Sequence, residues 1–400
     1  MAVTAQDPPR PGVLFVDDEE GVLAGLRTSL RKLRGSYTFH FALGGPEALD
    51  LLAAEPVQLV VTDMRMPGMN GVELLRQVKA SYPDVVRYVL SGEADQSLVM
   101  QAVPVTHRWL TKPCPHEYLV DAVAQGVRHR SLLADPDILR VIGGIDALPA
   151  TPPLYRELVR LLDDPRTSVV TVAEVIGADA AVSAKLLQWA NSAFAGGNRV
   201  IDIRSAVVRL GLTMVSHLVL RAEMVSLLDE RHAVPGMGLN ELRRHERSMG
   251  LLASTLAQPG DALPAGTAAG LASTGLLLEA EHLPDRLAAS YELAEAEGLT
   301  ITAAERRLYG VTHCELGGHL LSVWGLPSQL VLAVEGSYDL PAPATGPLGL
   351  CEAVRAARLG VQSLPYYSSV GRPHRDLLTP PLEAAVRVWL GALSEREESP

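Results

Sequence analysis

The sequence has few cysteines, an excess of acidic over basic residues, and no long uninterrupted apolar run. Its three cysteines, Cys114, Cys314 and Cys351, are isolated and form no CxxC pair, so neither a disulfide framework nor a thiolate zinc site is predicted. The formal net charge is −11 at pH 7, which disfavours binding to nucleic acid because such binding needs basic surface to displace counterions. No apolar run of about 18 residues is free of charge and proline, so no transmembrane helix is predicted.

The composition fits a soluble globular protein with more than one core. The chain has 400 residues, of which 48% are hydrophobic and 20% are charged, and this length predicts about two or three domains. Residues 1–11 are polar and proline-rich and lack the apolar segment of a signal peptide. We therefore predict a flexible leader at residues 1–11 and a cytoplasmic location.

Strand and helix patterns alternate five times between residues 12 and 131. Short apolar runs predict strands, and three- and four-residue apolar spacing predicts the helices between them. The predicted strands are 13–16, 37–42, 57–62, 85–91 and 107–110, and the predicted helices are 22–33, 46–55, 72–80, 95–103 and 115–131. This alternation is typical of a doubly wound, five-stranded parallel sheet, an α/β fold.

Polar side chains follow four of these strands. Asp17 and Asp18 follow the first strand, Asp63 the third, Ser91 ends the fourth and Lys112 follows the fifth. Strands one, three and four lie side by side in such a sheet, with five beyond, so these groups are expected to meet at one edge. Three close carboxylates need a cation among them, and hard oxygen ligands suit Mg²⁺. The set predicts a site at which a carboxylate is phosphorylated.

Four motifs in order, FVDD, VTDMRMPGMNG, VLSGEA and WLTKP, resemble the receiver domain of two-component response regulators, a flavodoxin-like fold. The resemblance covers residues 12–131. It implies that Asp63 is the phospho-acceptor. It also implies that Asp17, Asp18 and Asp63, with the backbone carbonyl of Arg65, hold Mg²⁺.

The same resemblance implies a conformational switch. Ser91 and Trp109 would be the switch pair, with Lys112 clamping the phosphoryl group, and Lys112–Pro113 resembles a Lys-Pro whose bond is often cis. The implied partners are a sensor histidine kinase or phosphotransfer protein and an unidentified downstream protein. A homodimer through the predicted fourth helix, fifth strand and fifth helix is also implied. From composition, no membrane partner is predicted, and the net negative charge disfavours a nucleic-acid partner.

Strand alternation disappears after a linker predicted at 132–147, where Asp135–Pro136 disfavours helix. Residues 148–394 carry helical apolar spacing throughout and predict an all-α domain, with a frayed tail at 395–400. Helical runs are predicted at 155–162, 172–176, 181–190, 205–210, 214–228, 241–257, 268–279, 286–297, 303–324, 329–334, 349–359 and 382–393. The breaks at 259–266 and 339–347 predict surface loops.

Segments 148–168, 176–196, 201–219 and 313–327 resemble an HDOD domain, a helical relative of metal-dependent HD phosphohydrolases. An HD hydrolase needs an adjacent His-Asp to hold metal, and the chain contains none. Ser273–Thr274–Gly275 stands where that pair is expected, and Arg247–Ser248 stands near a family His-Ser, although His245 blurs that alignment. We predict no catalytic residue here, with His313 a hydrogen-bonded helix residue. The output is then protein binding; the alternative is a metal-dependent phosphodiesterase acting on a cyclic dinucleotide or another phosphate ester.

Five further side chains of the helical half are interpreted from their sequence context. His245–Glu246 is predicted to lie on a solvated helix face beside Arg243, Arg244 and Arg247, which form a candidate anionic-ligand patch. Trp189 and Trp324 are predicted core residues because apolar helix residues surround them. Asn191 is predicted to end a helix through side-chain-to-backbone hydrogen bonds.

Overall fold

A computed structural model describes most of the chain, in two compact units. The described residues are 10–91, 105–127, 167–192, 199–220, 239–339 and 346–362, with isolated positions at 138, 141, 144, 145, 158, 161 and 234. Residues 1–146, with 192–195, form one unit, and the remaining residues form the other. Each unit is described by itself below.

The first unit contains a five-stranded parallel sheet with the strand order β2-β1-β3-β4-β5. Its strands are β1 (Gly12–Val16), β2 (Thr38–Ala42), β3 (Val57–Thr62), β4 (Val86–Ser91) and β5 (Arg108–Thr111). The central strands β1 and β3 are almost entirely buried, as expected for strands covered by helices on both faces. The predicted α/β class and strand order are confirmed.

Helices connect these strands. They are α1 (Glu20–Ser29), continued by a 3₁₀ turn at Leu30–Leu33, then α2 (Gly45–Ala54), α3 (Gly71–Ser81) and α4 (His116–Val127). Aliphatic residues of β1, β3, α2 and α3 form one buried core, because parallel crossovers place helices on both sheet faces. The helix predicted at 95–103 lies outside the described residues.

The regular elements described in the second unit are helices, apart from one isolated β-bridge between Ala257 and Leu348. Its helices are α5 (Val169–Gly177), α6 (Ala180–Ser192), α7 (Ile203–Leu220), α8 (Leu239–Leu256), α9 (Ala262–Leu271), α10 (Thr274–His282), α11 (Pro284–Glu297), α12 (Ile301–Tyr309), α13 (His313–Val323), α14 (Ser328–Glu335) and α15 (Leu350–Gln362). The predicted all-α class is confirmed. The helix predicted at 382–393 and most of the helix predicted at 155–162 fall on residues that the structure does not describe. Within the described residues, no helix combines the length and apolar character needed to cross a membrane.

Three predictions for this unit, two of helices and one of a loop, are wrong at their boundaries. The single run expected at 303–324 is two helices, because Gly310 at the C-terminus of α12 has φ +73° and ends it in the left-handed region that glycine favours. The loop expected at 259–266 contains the start of α9, where Pro264 lies in the first turn, a position at which proline is tolerated. The helix expected at 268–279 divides at Ser273.

The prediction for the middle of α8 is also wrong. His245 and Glu246 are buried rather than solvated, while Arg244 and Arg247 are exposed. The buried residues of α8, which share one helix face at three- and four-residue spacing, are Leu242, His245, Glu246, Ser248, Met249, Leu252 and Ala253. Helical periodicity therefore assigns the histidine and the glutamate to the buried face.

Two other interpretations are confirmed. Trp189 and Trp324 are buried. Near the end of α6, Asn191 Nδ2 donates to the carbonyl of Leu187 at 3.0 Å and to that of Val200 at 2.8 Å, and its Oδ1 accepts from the Val200 N–H at 2.8 Å. Asn191 therefore ends the helix and fixes the returning chain.

Candidate functional site

Two aspartates meet at the carboxyl edge of the sheet. Asp17 follows β1 and Asp63 follows β3, and the register pairs Val16 with Thr62. The Asp63 N–H donates to the Val16 carbonyl at 2.8 Å, so adjacent parallel strands place the two residues side by side. Asp17 is 2% exposed and Asp63 is 9% exposed. Two nearly buried, neighbouring carboxylates repel each other unless a positive charge lies between them.

Lys112 supplies that charge. Its Nζ lies 2.6 Å from Asp17 Oδ2 and 2.5 Å from Asp63 Oδ1. Lys112 follows β5 directly, and the peptide bond between Lys112 and Pro113 is cis. Burial lowers the pKa of Lys112, but its hydrogen bonds and ion pairs with Asp17 and Asp63 outweigh burial, so the pKa is raised. The lysine is therefore a cation held between two anions.

Backbone N–H groups hold the remaining carboxylate oxygens. The Arg65 N–H donates to Asp63 Oδ2 at 2.6 Å, and the Glu19 N–H donates to Asp17 Oδ1 at 3.0 Å. Charge-assisted bonds of this kind fix a carboxylate in both position and orientation. All four carboxylate oxygens of Asp17 and Asp63 therefore have a defined donor.

The loop after Asp63 is shaped by its glycine end. The Gly71 N–H donates to the Met64 carbonyl at 3.0 Å, and a Cβ at Gly71 would lie 2.2 Å from the Asp63 carbonyl oxygen. Asn70 and Glu73 form a capping box that starts α3, satisfying two backbone donors reciprocally. The chain thus turns back tightly onto the backbone of Asp63, which only a residue without a side chain permits.

The other predicted site residues are placed less fully. Asp18 is exposed. Ser91 ends β4 and Trp109 lies in β5, paired with Val89, but their side chains fall outside the described part of the structure. Among described residues, no group of three or more His, Cys, Asp or Glu side chains is arranged to hold a metal ion. Of the predicted site residues whose side chains are described, the structure brings together Asp17, Asp63 and Lys112.

Comparison with known proteins gives each unit a family. Residues 13–124 match the response regulator receiver domain, and residues 148–340 match the HDOD domain. The chain is a response regulator receiver domain followed by an HDOD domain. The predicted order of the two families is confirmed.

Two curated relatives that match part of the chain are named as regulators. The hydrogenase transcriptional regulatory protein HoxA of Cupriavidus necator is 34% identical over 125 residues, covering 31% of this chain and 25% of that protein. The response regulator UvrY of Escherichia coli is 38% identical over 93 residues, covering 22% of this chain and 43% of that protein. The chain spans between 9% and 47% of the length of curated relatives such as these.

Solved structures resemble both parts. The signal receiver domain of an HD domain-containing protein from Pseudomonas fluorescens is 35% identical, covers 31% of this chain and 98% of that chain, and has a TM-score of 0.30. The MmoQ response regulator of Methylococcus capsulatus is 20% identical, covers 60% of this chain and 92% of that chain, and has a TM-score of 0.47.

The HDOD domain is tightly packed around Ser273, Thr274 and Gly275, where the sequence resemblance predicts the His-Asp pair of a hydrolase. Ser273 and Thr274 are buried between α9 and α10. A Cβ at Gly275 would lie 1.8 Å from the carbonyl oxygen of His313, at the start of α13. Without a shift of backbone, this position has no room for a side chain, including a carboxylate.

His313 is fully buried and faces protein groups on both ring nitrogens. Its Nδ1 lies 2.8 Å from Glu305 Oε1, and its Nε2 lies 3.3 Å from Cys314 Sγ. Burial lowers the pKa of His313, but Cys314 and Glu305 outweigh burial and hold the pKa well above 6.5. The prediction that His313 is a hydrogen-bonded helix residue is confirmed.

Three buried charged residues on the helices around this histidine were not singled out from sequence. Glu305 lies on α12, and Glu279 on α10 pairs with Arg286 on α11 through a 2.6 Å contact between Nε and Oε1. Glu279 follows the apolar run Leu276–Leu277–Leu278 on α10, a local signal of burial. Glu305 and Arg286 carry no comparable signal, because their burial depends on helices brought together by the fold.

Proposed function

We propose that this protein is a phosphorylation-dependent response regulator in which Asp63 accepts a phosphoryl group from a sensor histidine kinase or a phosphotransfer protein. The observation that carries the proposal is the position of Lys112 Nζ between Asp17 and Asp63. Receiver domains as a family accept a phosphoryl group on an aspartate. The cytoplasmic location stays a prediction.

The chemistry asked of these residues is simple. An oxygen of Asp63 forms a bond to phosphorus as the bond between phosphorus and the donor imidazole breaks. Lys112 already contacts Asp63 Oδ1, so its charge offsets the negative charge that gathers on the transferred group. A phosphorylated side chain carries about −1.5 to −2 charges, which strengthens the attraction to Lys112 in the product.

The donor chemistry of the site fits Mg²⁺. Asp17 and Asp63 converge on one cationic atom, and both offer hard oxygen ligands, which Mg²⁺ prefers together with several waters. Asp17, Asp18, Asp63 and the backbone carbonyl of Arg65 would hold the ion. When bound, Mg²⁺ supplies positive charge to the phosphoryl oxygens.

The acceptor assignment is tested by substitution. Asp63→Asn is expected to abolish acid-labile phosphorylation by a small phosphodonor, measured as the mass increase of the intact protein. Asp50→Asn is the matched control, because Asp50 is an exposed aspartate on α2, and it should be labelled like the wild type. Retained labelling of Asp63→Asn refutes the assignment.

The proposed switch involves Ser91 and Trp109. The hydroxyl of Ser91 moves toward the phosphoryl group and the indole of Trp109 follows, which changes the surface that meets a downstream protein or a second receiver. A change from mostly off to mostly on requires a difference of ~5.5 kcal/mol between states. Tryptophan emission with beryllofluoride and Mg²⁺ tests it against Trp109→Phe, and an unchanged wild-type signal contradicts it.

We propose that the HDOD domain is not catalytic and acts through protein binding. Three observations support this. The chain has no His-Asp pair, Gly275 abuts the backbone of His313, and both ring nitrogens of His313 face protein groups.

The alternative, a metal-dependent phosphodiesterase, makes an opposite prediction. Purified protein would then contain stoichiometric manganese, iron or zinc that is lost in His313→Ala and kept in His282→Ala, whose histidine is exposed. Elemental analysis of the three proteins decides between the two functions. We expect no metal that depends on His313.

A further inference from the structure

A cluster of four ionisable side chains lies inside the HDOD domain and has no part in the function proposed above. Its members are Glu279 on α10, Arg286 on α11, Glu305 on α12 and His313 on α13. Both carboxylates are 0% exposed. Four helices therefore meet around charges that burial makes costly unless each charge is compensated.

The two carboxylates of the cluster are compensated unequally. Glu305 has partners at both oxygens, because His313 Nδ1 lies 2.8 Å from Oε1 and the His313 N–H donates to Oε2 at 3.0 Å. Glu279 Oε1 accepts from Arg286 Nε at 2.6 Å, whereas Glu279 Oε2 is buried with no hydrogen-bond partner among the described residues.

The cation beside Glu279 is shared with other groups. Arg286 Nη2 donates to the Val311 carbonyl at 2.6 Å, and the guanidinium lies 4.1 Å from the centre of the Tyr309 ring. Glu279 also feels the charge of Glu305, a second buried carboxylate. Of the two carboxylates, Glu279 is thus the one whose ionised form is less well stabilised.

We propose that this cluster is a proton-binding site, with Glu279 Oε2 the atom that takes the proton, and that proton binding sets the stability of helices α10 to α13. A proton removes the buried negative charge at the one oxygen that has no donor. It leaves the Glu305–His313 pair intact. The ligand is the proton itself, and the proposal is independent of phosphorylation at Asp63.

The charged and titratable groups facing Glu279 support this choice. Burial raises the pKa of Glu279 and the charge of Glu305 raises it further, against the lowering effects of His313 and Arg286, to about 7. Tyr291 on α11 also faces the cluster, and burial raises its pKa, so it stays neutral. Tyr338, after α14, packs edge-on against His313 at 5.0 Å, and its pKa is raised by burial.

The sign of the effect follows from linkage. The folded pKa of Glu279, about 7, lies above the ordinary value of 4.5. The folded state therefore binds the proton more tightly than the unfolded state. The stability contribution is fully present below 4.5 and is lost as the pH rises through about 7. The equilibrium constant for folding should change on the order of 100-fold across this window.

The test compares wild type, Glu279→Gln and Glu292→Gln as full chains. Amide hydrogen exchange of peptides from α10 to α13 is measured between about pH 5 and about pH 8, the window that linkage assigns. Glutamine is a neutral isostere, so wild type should match Glu279→Gln at low pH. Wild type should then become on the order of 100-fold less protected than that variant at high pH. Glu292 is exposed on α11, and its variant should follow wild type throughout.

A constant ratio of protection between wild type and Glu279→Gln across this range overturns the proposal. A second measurement needs no folded variant. The infrared carbonyl band of a protonated carboxyl group should persist in the wild type at mildly acidic pH. It should disappear as the pH rises through about 7. Absence of that band at mildly acidic pH also overturns the proposal.

Discussion

Substitution of Gly71 by alanine is a sharp test of how Asp63 is positioned. An ideal Cβ at Gly71 would lie 2.2 Å from the Asp63 carbonyl oxygen and 3.0 Å from Met64 Cα, and Cβ contacts below 3.0 Å are essentially never seen. The neighbouring atoms belong to the backbone and cannot rotate away. The loop must therefore move by about 0.8 Å, the difference between 2.2 and 3.0 Å.

That displacement acts on Asp63, the proposed phospho-acceptor. Because misplacement of a reacting group by ~1 Å costs up to about 100-fold in rate, we expect Gly71→Ala to accept phosphoryl groups about 10- to 100-fold more slowly. Overpacking costs about 1–3 kcal/mol, less than the stability of a typical domain, so the receiver should stay folded. The initial rate of acid-labile phosphorylation by a small phosphodonor, at saturating Mg²⁺, measures the effect.

Gly25→Ala is the control for this experiment. Gly25 is exposed on α1, and a Cβ there would meet nothing within 4 Å. Alanine should stabilise the helix by up to about 1 kcal/mol and leave the phosphorylation rate unchanged. If Gly71→Ala is phosphorylated at the wild-type rate, the close approach does not position Asp63 and the reasoning fails.

Three further outcomes are expected. Gly275→Ala should lower the unfolding free energy of the HDOD domain by about 1–3 kcal/mol, because the added Cβ would lie 1.8 Å from the His313 carbonyl oxygen. Thermal unfolding measures this loss, and an unchanged midpoint of the thermal transition contradicts the prediction. Asn191→Ala, which removes three hydrogen bonds, should cost about 1–3 kcal/mol, and faster hydrogen exchange at Val200 would report it. Because the pKa of Lys112 is raised, its ion pairs should stabilise the receiver fully below pH 10.5, and this stabilisation should be lost as the pH rises through the raised pKa. The unfolding free energies of wild type and Lys112→Met, measured with urea, should therefore become equal above that pH. A difference in unfolding free energy that persists there refutes the prediction.

The sequence predicted the receiver more fully than the helical half, for a physical reason. In a parallel sheet every strand ends at the same edge, so the order of strands and the residues after them suffice to predict that Asp17, Asp63 and Lys112 meet. Helices impose no such edge. The partners of His313 come from separate helices whose contacts depend on packing.

Buried charge was the main feature that sequence could not reveal. Arg87 and Arg108 lie on the predicted strands β4 and β5, yet they are 0% and 1% exposed. Arg87 Nε donates to the Val105 carbonyl at 2.9 Å, and Arg108 Nη1 donates to Gln125 Oε1 at 2.8 Å. Such acceptors exist only once loops and helix α4 are in place, so burial of arginine follows from tertiary structure.

The strand order predicts different local stabilities for Asp63, the proposed acceptor, and Lys112, the proposed clamp. Asp63 follows β3, which has a hydrogen-bonded neighbour on each side, whereas Lys112 follows β5, which pairs with β4 alone among the described strands. Backbone amides in a sheet interior open only with the whole domain, while an edge strand opens at lower free energy. Asp63, the proposed nucleophile, thus follows a strand in the part of the sheet that opens at the highest free energy. Lys112 follows an edge strand, which can open locally while the backbone around Asp63 keeps its geometry.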